Sequence, residues 1–282
     1  MNYSRLDKFK LFSLNHRYLV VGIMTICILS IFGIGATYGL KGKLSSNNNN
    51  FDEIQTLIDE IEKHDSNIMN NIEVIEEEKT VNGIDVSGWQ NNVDWEQVKA
   101  SGVDFVMLRV GSRKLISGEI VEDSFFKKNA SACNRLGIPI GVYFYSAAIT
   151  ELEVLEEATF VLNIIKDYKI TYPVAYDLED FGDFRLAKTS DERFNYNALV
   201  FLNYFKSHGY NGMLYANKSA LETHWDLSRY DGYKIWLAHY IGSTSYDGPY
   251  DMWQYSDMGN INGIVGNVDL NMAKFAYREK TE

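Results

Sequence analysis

From Val81 onward, short apolar runs alternate with longer segments whose apolar residues recur every three or four positions. This alternation constrains the fold more than any other feature, because strands joined through a helix run parallel and need a long crossover. Strands are predicted at 83–87, 104–110, 140–146, 173–179 and 212–216. Between the first two, Asp94 caps a helix, with Gln97 three residues on and Gly102 at its end. A second helix runs through Phe126, Ala130 and Cys133 and stops at Gly137, with Pro139 just beyond. Thr150 and Glu153 form a capping box for a third, which carries Leu155, Ala158, Leu162 and Ile165 on one face. A fourth passes through Ala198, Leu202 and Phe205 and ends near Gly209. Three further strand-like runs, 234–239, 251–255 and 267–270, follow too closely for long crossover helices. Eight strands in about 200 residues can close into a barrel, and closure removes exposed edges. An open doubly wound sheet is the alternative, but no Gly-rich phosphate loop follows the first strand. The expected fold class is therefore α/β, a modified TIM-like barrel with irregular late units.

Charge divides the chain into three blocks. Residues 1–50 carry six basic groups and one acid, 51–80 ten acids and two lysines, so the blocks hold +5, −8 and, over 81–282, −8 of the net −11. Such an acidic chain lacks the basic footprint of a nucleic-acid protein. Residues 18–40 contain no charge, and as a helix would be about 34 Å long, enough to cross a hydrocarbon core of about 30 Å. A cleaved signal peptide would have a shorter apolar region and a small-residue site, for which Ile34-Gly35-Ala36 is a poor substitute. Met24-Thr25-Ile26 before Cys27 is likewise no lipoprotein box. Four basic residues precede the span and two follow it, which favours a cytoplasmic N-terminus and the bulk of the chain outside. The expected organisation is a basic cytoplasmic tail at 1–17, a single transmembrane helix at 18–40, a linker and acidic helical stalk at 41–80, and the barrel at 81–282. The stalk is read from Phe51, Ile54, Ile58 and Ile61 at helical spacing, continued at sevens by Ile68 and Ile75. Its apolar stripe can serve self-association, a membrane complex or packing on the next domain, and His64-Asp65-Ser66-Asn67 interrupts the seam.

Two cysteines, Cys27 and Cys133, make neither a disulfide framework nor a thiolate metal cluster. The histidines at 16, 64, 208, 224 and 239 show no metal-ligand spacing, and only His239 stands at a strand end. No cofactor is implied.

The informative chemistry sits at strand ends. In Val174-Ala175-Tyr176-Asp177-Leu178-Glu179, alternation turns Val174, Tyr176 and Leu178 toward the helices and Ala175, Asp177 and Glu179 inward. Both acids then lie at the carboxyl end, where barrel enzymes place their reactive groups. Two such carboxylates repel, so crowding raises the pKa of at least one. A protonated acid beside an ionised carboxylate is what glycosidic cleavage requires. Alone, Asp-x-Glu is also what a solvent-facing acidic strand end looks like. Two more strands repeat the pattern, however: Ile84 and Val86 flank Asp85, with Ser87 also inward, and Val268-Asp269-Leu270-Asn271 again centres an acid. In a closed barrel the first and last strands are neighbours, so Asp85, Asp269 and the Asp177/Glu179 pair converge on one acidic mouth.

These residues belong to a longer series: Gly83-Ile84-Asp85-Val86-Ser87 with Gln90, Val93-Asp94-Trp95, Gly141-Val142-Tyr143-Phe144-Tyr145, Tyr176-Asp177-Leu178-Glu179, Leu214-Tyr215, Trp236-Leu237-Ala238, Trp253-Gln254-Tyr255 and Val268-Asp269-Leu270-Asn271. In order and spacing the series resembles the family 25 glycoside hydrolases, muramidases (lysozymes) of the bacterial and phage type, over about 70% of the chain. The resemblance implies a modified barrel of eight strands with about five helices. It implies a hydrolase of the β-1,4 bond between N-acetylmuramic acid and N-acetylglucosamine in peptidoglycan, with no cofactor. By that resemblance Glu179 is the proton donor and Asp177 the assisting carboxylate or nucleophile. Asp85 and Asp269 complete the acidic site, and Tyr143, Tyr145, Tyr215 and Trp253 line the substrate groove. The third strand departs from many relatives in reading Tyr-Phe-Tyr where they have Tyr-His-Phe. Two other classes are compatible with such a barrel. One is a catalytically inactive wall-binding module. The other is a chitinase-like hydrolase, whose D-x-x-D-x-D-x-E run is missing here because Thr171, Pro173 and Ala175 stand before Asp177.

Overall fold

A computed structural model describes residues 74–279. The expected tail at 1–17, the span at 18–40 and most of the linker and stalk lie outside the described residues. Among those described, no helix is long and apolar enough to cross a membrane.

Eight strands form a closed ring. They are β2 (Val81–Val86), β3 (Phe105–Arg113), β5 (Ile140–Tyr145), β6 (Val174–Asp177), β7 (Gly212–Asn217), β8 (Lys234–Ala238), β9 (Met252–Gly259) and β10 (Val268–Ala273). Neighbours pair in that order, and β10 returns to β2. The seven from β2 to β9 run parallel; β10 is antiparallel to both β9 and β2. A short strand β4 (Ile120–Glu122) lies against β3 outside the ring. The described residues also form five α-helices: α1 (Trp95–Ala100), α2 (Phe126–Leu136), α3 (Glu151–Ile165), α4 (Asp191–Ser207) and α5 (Lys218–Thr223). The eight-stranded barrel and its five helices match expectation. The irregular late region is explained by a helix-free β8–β9 crossover and a β9–β10 hairpin.

Local signals act as the sequence suggests. Asp94 accepts from the N–H groups of Glu96 and Gln97, and Gly137 closes α2 in the left-handed region that glycine enters without strain. Thr150 caps α3 by accepting from Glu153, but Glu153 reaches back to the N–H of Ile149 rather than of Thr150. The buried face of α3 is Val154, Ala158, Val161 and Ile165, with Glu157; Leu155, expected inside, is on the solvent side. Both sets have helical spacing, and the barrel surface selects the stripe one residue earlier.

Two apolar layers follow from strand alternation. Val174, Tyr176 and Leu178 pack outward beneath the helices, while Phe105, Met107, Ala175, Met213, Trp236 and Met252 fill the interior. At the amino-terminal end of the ring Phe105 stacks on Tyr172 with centroids 4.5 Å apart, and Phe275 and Tyr277 close on the same ring. The barrel is therefore a packed core with an opening at one end only.

Two stretches differ from expectation. The helical seam ascribed to the stalk does not extend to Ile75, which lies in a strand, β1 (Val74–Glu77), paired antiparallel with β11 (Ala276–Glu279). Glu76 meets Lys234 at 2.7 Å and accepts from Tyr277 at 3.0 Å, so this ribbon is fastened to the closed end of the barrel. Strand β6 stops at Asp177, so Glu179 extends from the loop beyond it.

Candidate active site

The antiparallel seating of β10 decides where its acid falls. A parallel last strand would carry Asp269, near its start, to the closed end. Running the other way, it brings Asp269 directly opposite Asp85 at the open end of β2. Asp177, at the end of β6, and Glu179, two residues further, complete the set. All four acids line one cleft of ≈ 340 Å³.

Asp85 is buried and its Oδ2 is held by two side-chain amides, Gln254 at 2.8 Å and Asn271 at 2.7 Å. Neither amide can turn round. The Gln254 carbonyl accepts from the hydroxyls of Tyr215 and Tyr240, and the Asn271 carbonyl accepts from the Trp236 indole N–H. Both amides thus present N–H to Asp85 Oδ2, which favours the ionised carboxylate. Burial raises the Asp85 pKa, and the bonds from Asn271 and Gln254 oppose it. Asp269 is pushed up to about 8, first by burial and then by the charge of Asp85. Near neutral pH the pair therefore holds one proton, mainly on Asp269.

Asp177 and Glu179 form a second pair. Asp177 is 4% exposed, and its Oδ1 is buried with no hydrogen-bond partner among the described residues. Burial raises its pKa well above the carboxylate range, the charge of Glu179 adds to this, and Arg109 pulls it back. Glu179 sits at the exposed rim, yet the surrounding protein displaces water, and Asp180 and Asp269 add repulsion, so its pKa is also raised. The end of β6 is anchored from behind. Ser146 N–H donates to the Asp177 carbonyl at 2.7 Å, and its hydroxyl bridges Tyr176 and the buried Glu157.

Of the four aromatics expected in the groove, Tyr143, Tyr145 and Tyr215 line the cleft. Tyr143 and Tyr215 meet the Trp236 ring edge-on, at 6.0 and 4.8 Å, and Tyr145 donates to Asp180. Trp253 does not line it. Alternation along β9 turns Met252 and Gln254 inward, so Trp253 faces the helix-side layer, where its N–H donates to the His239 carbonyl at 2.9 Å. Phe144, in the departing Tyr-Phe-Tyr, is buried in that same outer layer against Phe160. His239 has a structural place, its ring bonded to Thr244. Sequence reasoning missed Arg109, Trp236, Tyr240, Gln254 and the exposed Trp89, all on the cleft. Alternation within β3 and β9 was enough to find Arg109 and Gln254; Trp89 stands on a single 3-10 turn (Gly88–Gln90) and Tyr240 on a loop, where no periodicity marks them. Among the described residues no cluster of His, Cys, Asp and Glu is arranged to hold a metal.

The sequence model of the glycosyl hydrolases family 25 matches residues 84–264, the stretch that carries seven of the ring's eight strands and three of the four acids. The chain belongs to this family. It is a glycoside hydrolase, and its barrel is that of the family. Among curated relatives it is similar to YegX of Escherichia coli, 29% identical over 68% of this chain and 69% of that one. The autolytic lysozyme of Clostridium acetobutylicum is 28% identical over 67% of this chain and 54% of its own length. Among solved structures, the modular autolysin LytC of Streptococcus pneumoniae superimposes with a TM-score of 0.61 at 27% identity. That match covers 68% of this chain and 46% of LytC. The chain thus spans about half the length of these last two proteins.

Proposed function

We propose that this protein is a peptidoglycan muramidase, hydrolysing the β-1,4 bond between N-acetylmuramic acid and N-acetylglucosamine. The observation that carries the reading is the gathering of Asp85, Asp177, Glu179 and Asp269 in one aromatic-walled cleft. Aromatic faces suit sugar rings, and paired carboxyl groups with raised pKa values suit acid-assisted cleavage. LytC, similar in fold, has been solved in complex with a synthetic peptidoglycan ligand.

In the proposed mechanism Glu179 donates the proton to the leaving glycosidic oxygen. Its place at the open rim gives a leaving group access, and its raised pKa keeps the proton available. Asp177 is the carboxylate that answers positive charge developing on the sugar; burial and Glu179 favour its protonated form in the free protein, so its ionisation in the reaction leans on the neighbouring Arg109 and on the charge of the substrate. It either attacks the anomeric carbon or orients the substrate's acetamido group to do so; both routes retain configuration. Asp85, fixed by Gln254 and Asn271 and hydrogen-bonded by the protonated Asp269, holds further negative charge where the oxocarbenium-like state forms.

Mass spectrometry of the fragments released from purified walls tests the reading, because the sugar at each new reducing end identifies the bond cut. Muramic acid at that end is expected. Glu179→Gln should slow release by about 10²–10⁴-fold, the usual contribution of a general acid. N-acetylglucosamine at the new ends, or equal release by Glu179→Gln, refutes the assignment. Wall binding without release by either protein would favour a binding module instead.

The charge-free stretch at 18–40 and its flanking basic residues support a single-pass membrane anchor, with the barrel outside the cell and the acidic segment as spacer and surface for self-association. External protease should release the barrel from cells with permeable walls; full protection reverses the topology.

A further inference from the structure

A second cleft of ≈ 280 Å³ opens beside the first and shares Trp89 and Arg109 with it. Its remaining walls differ in kind. Where the first cleft has six aromatic side chains and four acids, the second is built from Gly88, Gly111, Ser112, Val121, Glu122, Asp123 and Ser124. Apart from the shared Trp89 it has no aromatic wall, and it offers small polar groups and backbone instead. Gly111 is required there, because a Cβ would stand 2.5 Å from the Val121 carbonyl oxygen.

The charges within it are already committed. Asp123 accepts from Arg109 Nε at 2.9 Å, from the Gly88 N–H at 2.8 Å and from the Phe125 N–H at 3.0 Å. Glu122 pairs with Lys127 at 3.0 Å. With both acids neutralised, this cleft does not repel an anion as the first does. Arg109 spends Nε and Nη2 on Asp123, and its Nη1 has no protein acceptor among the described residues. The backbone of Gly88 ties the Trp89 turn to the same aspartate, so Trp89, 80% exposed, stands as the partition between the two clefts.

We propose that this second cleft seats the peptide substituent that muramic acid carries on its lactyl ether. The proposal rests on the muramidase reading above and adds the part of the substrate that branches away from the glycan. A muramic acid held over the acids must send its lactyl group sideways. An adjoining cleft with small polar walls, exposed backbone and a free guanidinium edge matches amides and a terminal carboxylate. The enzyme then distinguishes peptide-bearing strands from bare glycan by contacts that lie outside the reacting centre.

The test compares two substrates from one wall preparation, glycan strands with their peptides and the same strands stripped of peptide by an amidase. The readout is the ratio of kcat/KM on the two. The unmutated protein should prefer peptide-bearing strands. Ser124→Trp, which fills the second cleft, should lower that ratio by about tenfold, the worth of one or two hydrogen bonds. Free stem peptide added to the unmutated protein should slow cleavage of peptide-bearing strands and leave bare strands untouched, a measurement that needs no variant. A ratio near one in the unmutated protein, an unchanged ratio in Ser124→Trp, or equal effects of free peptide on both substrates overturns the proposal. Failure of the muramidase reading is distinct: neither substrate would be cut, or the new ends would not be muramic acid.

Discussion

Replacing Asp269 by asparagine should stabilise the protein at alkaline pH and leave its stability unchanged in acid. In the fold Asp269 holds its proton up to about pH 8, against an ordinary value of 3.8, because burial and the facing Asp85 both disfavour a second charge. The unfolded chain loses that proton near pH 4. Between the two values the folded state binds more protons than the unfolded, so stability is fully present below about pH 4 and is lost as pH rises through about 8. A span of about four pH units at 1.36 kcal/mol each sets a ceiling near 5–6 kcal/mol. Water reaches Asp269 at the mouth and the proton is shared with Asp85, so screening reduces the effect to about 1–2 kcal/mol. Asparagine keeps the geometry, since its amide donates to the Asp85 carboxylate as the protonated carboxyl does, and it carries no charge at any pH. For a domain of this size such a gain raises the unfolding midpoint by about 3–6 °C. Thermal unfolding followed by circular dichroism from about pH 4 to about pH 9 measures it. The curves should coincide at about pH 4, diverge progressively as pH rises toward about 8 and run parallel beyond it, with Asp269→Asn the more stable. Parallel curves across the range, or a variant less stable at the alkaline end, would show that Asp269 is not the proton holder.

Two further substitutions probe the support behind the site. Glu157→Ala leaves Arg113 buried without its 2.7 Å partner and frees the Ser146 hydroxyl that braces β6; a loss of about 3–5 kcal/mol is expected by urea unfolding, and less than 1 kcal/mol would show the pair to be dispensable. Phe105→Ala empties the aromatic closure at the amino-terminal end of the barrel, where Phe105 fills the space above Gly83 and stacks on Tyr172; a loss of about 3–5 kcal/mol in the same assay is expected, with the pH dependence of catalysis unchanged.

The strands and helices of the barrel were legible because period, cap and stop signals agreed with one another from Asp94 to Gly212. The site was legible for a different reason. Asp85, Asp177 and Asp269 each stand between apolar neighbours, so period-two alternation alone placed them inside once the ring was closed. The direction of β10 was not in that pattern, since alternation is the same read either way; ring closure with short late connections carried it, and Asp269 reaches the mouth only for that reason.

Trp253 shows where family likeness and local physics part. The same alternation that buries Asp85 puts Gln254 inside and Trp253 outside, and a reading of β9 by period would have exchanged the two. The exchange matters for the chemistry. A tryptophan in that place would offer a face to sugar, whereas Gln254 accepts hydrogen bonds from the Tyr215 and Tyr240 hydroxyls and donates one to Asp85. Two groove tyrosines are thereby tied to the charge state of a buried carboxylate. What the sugar touches and what holds the acid's charge are one hydrogen-bonded unit, and that unit depends on a residue whose type announces neither role.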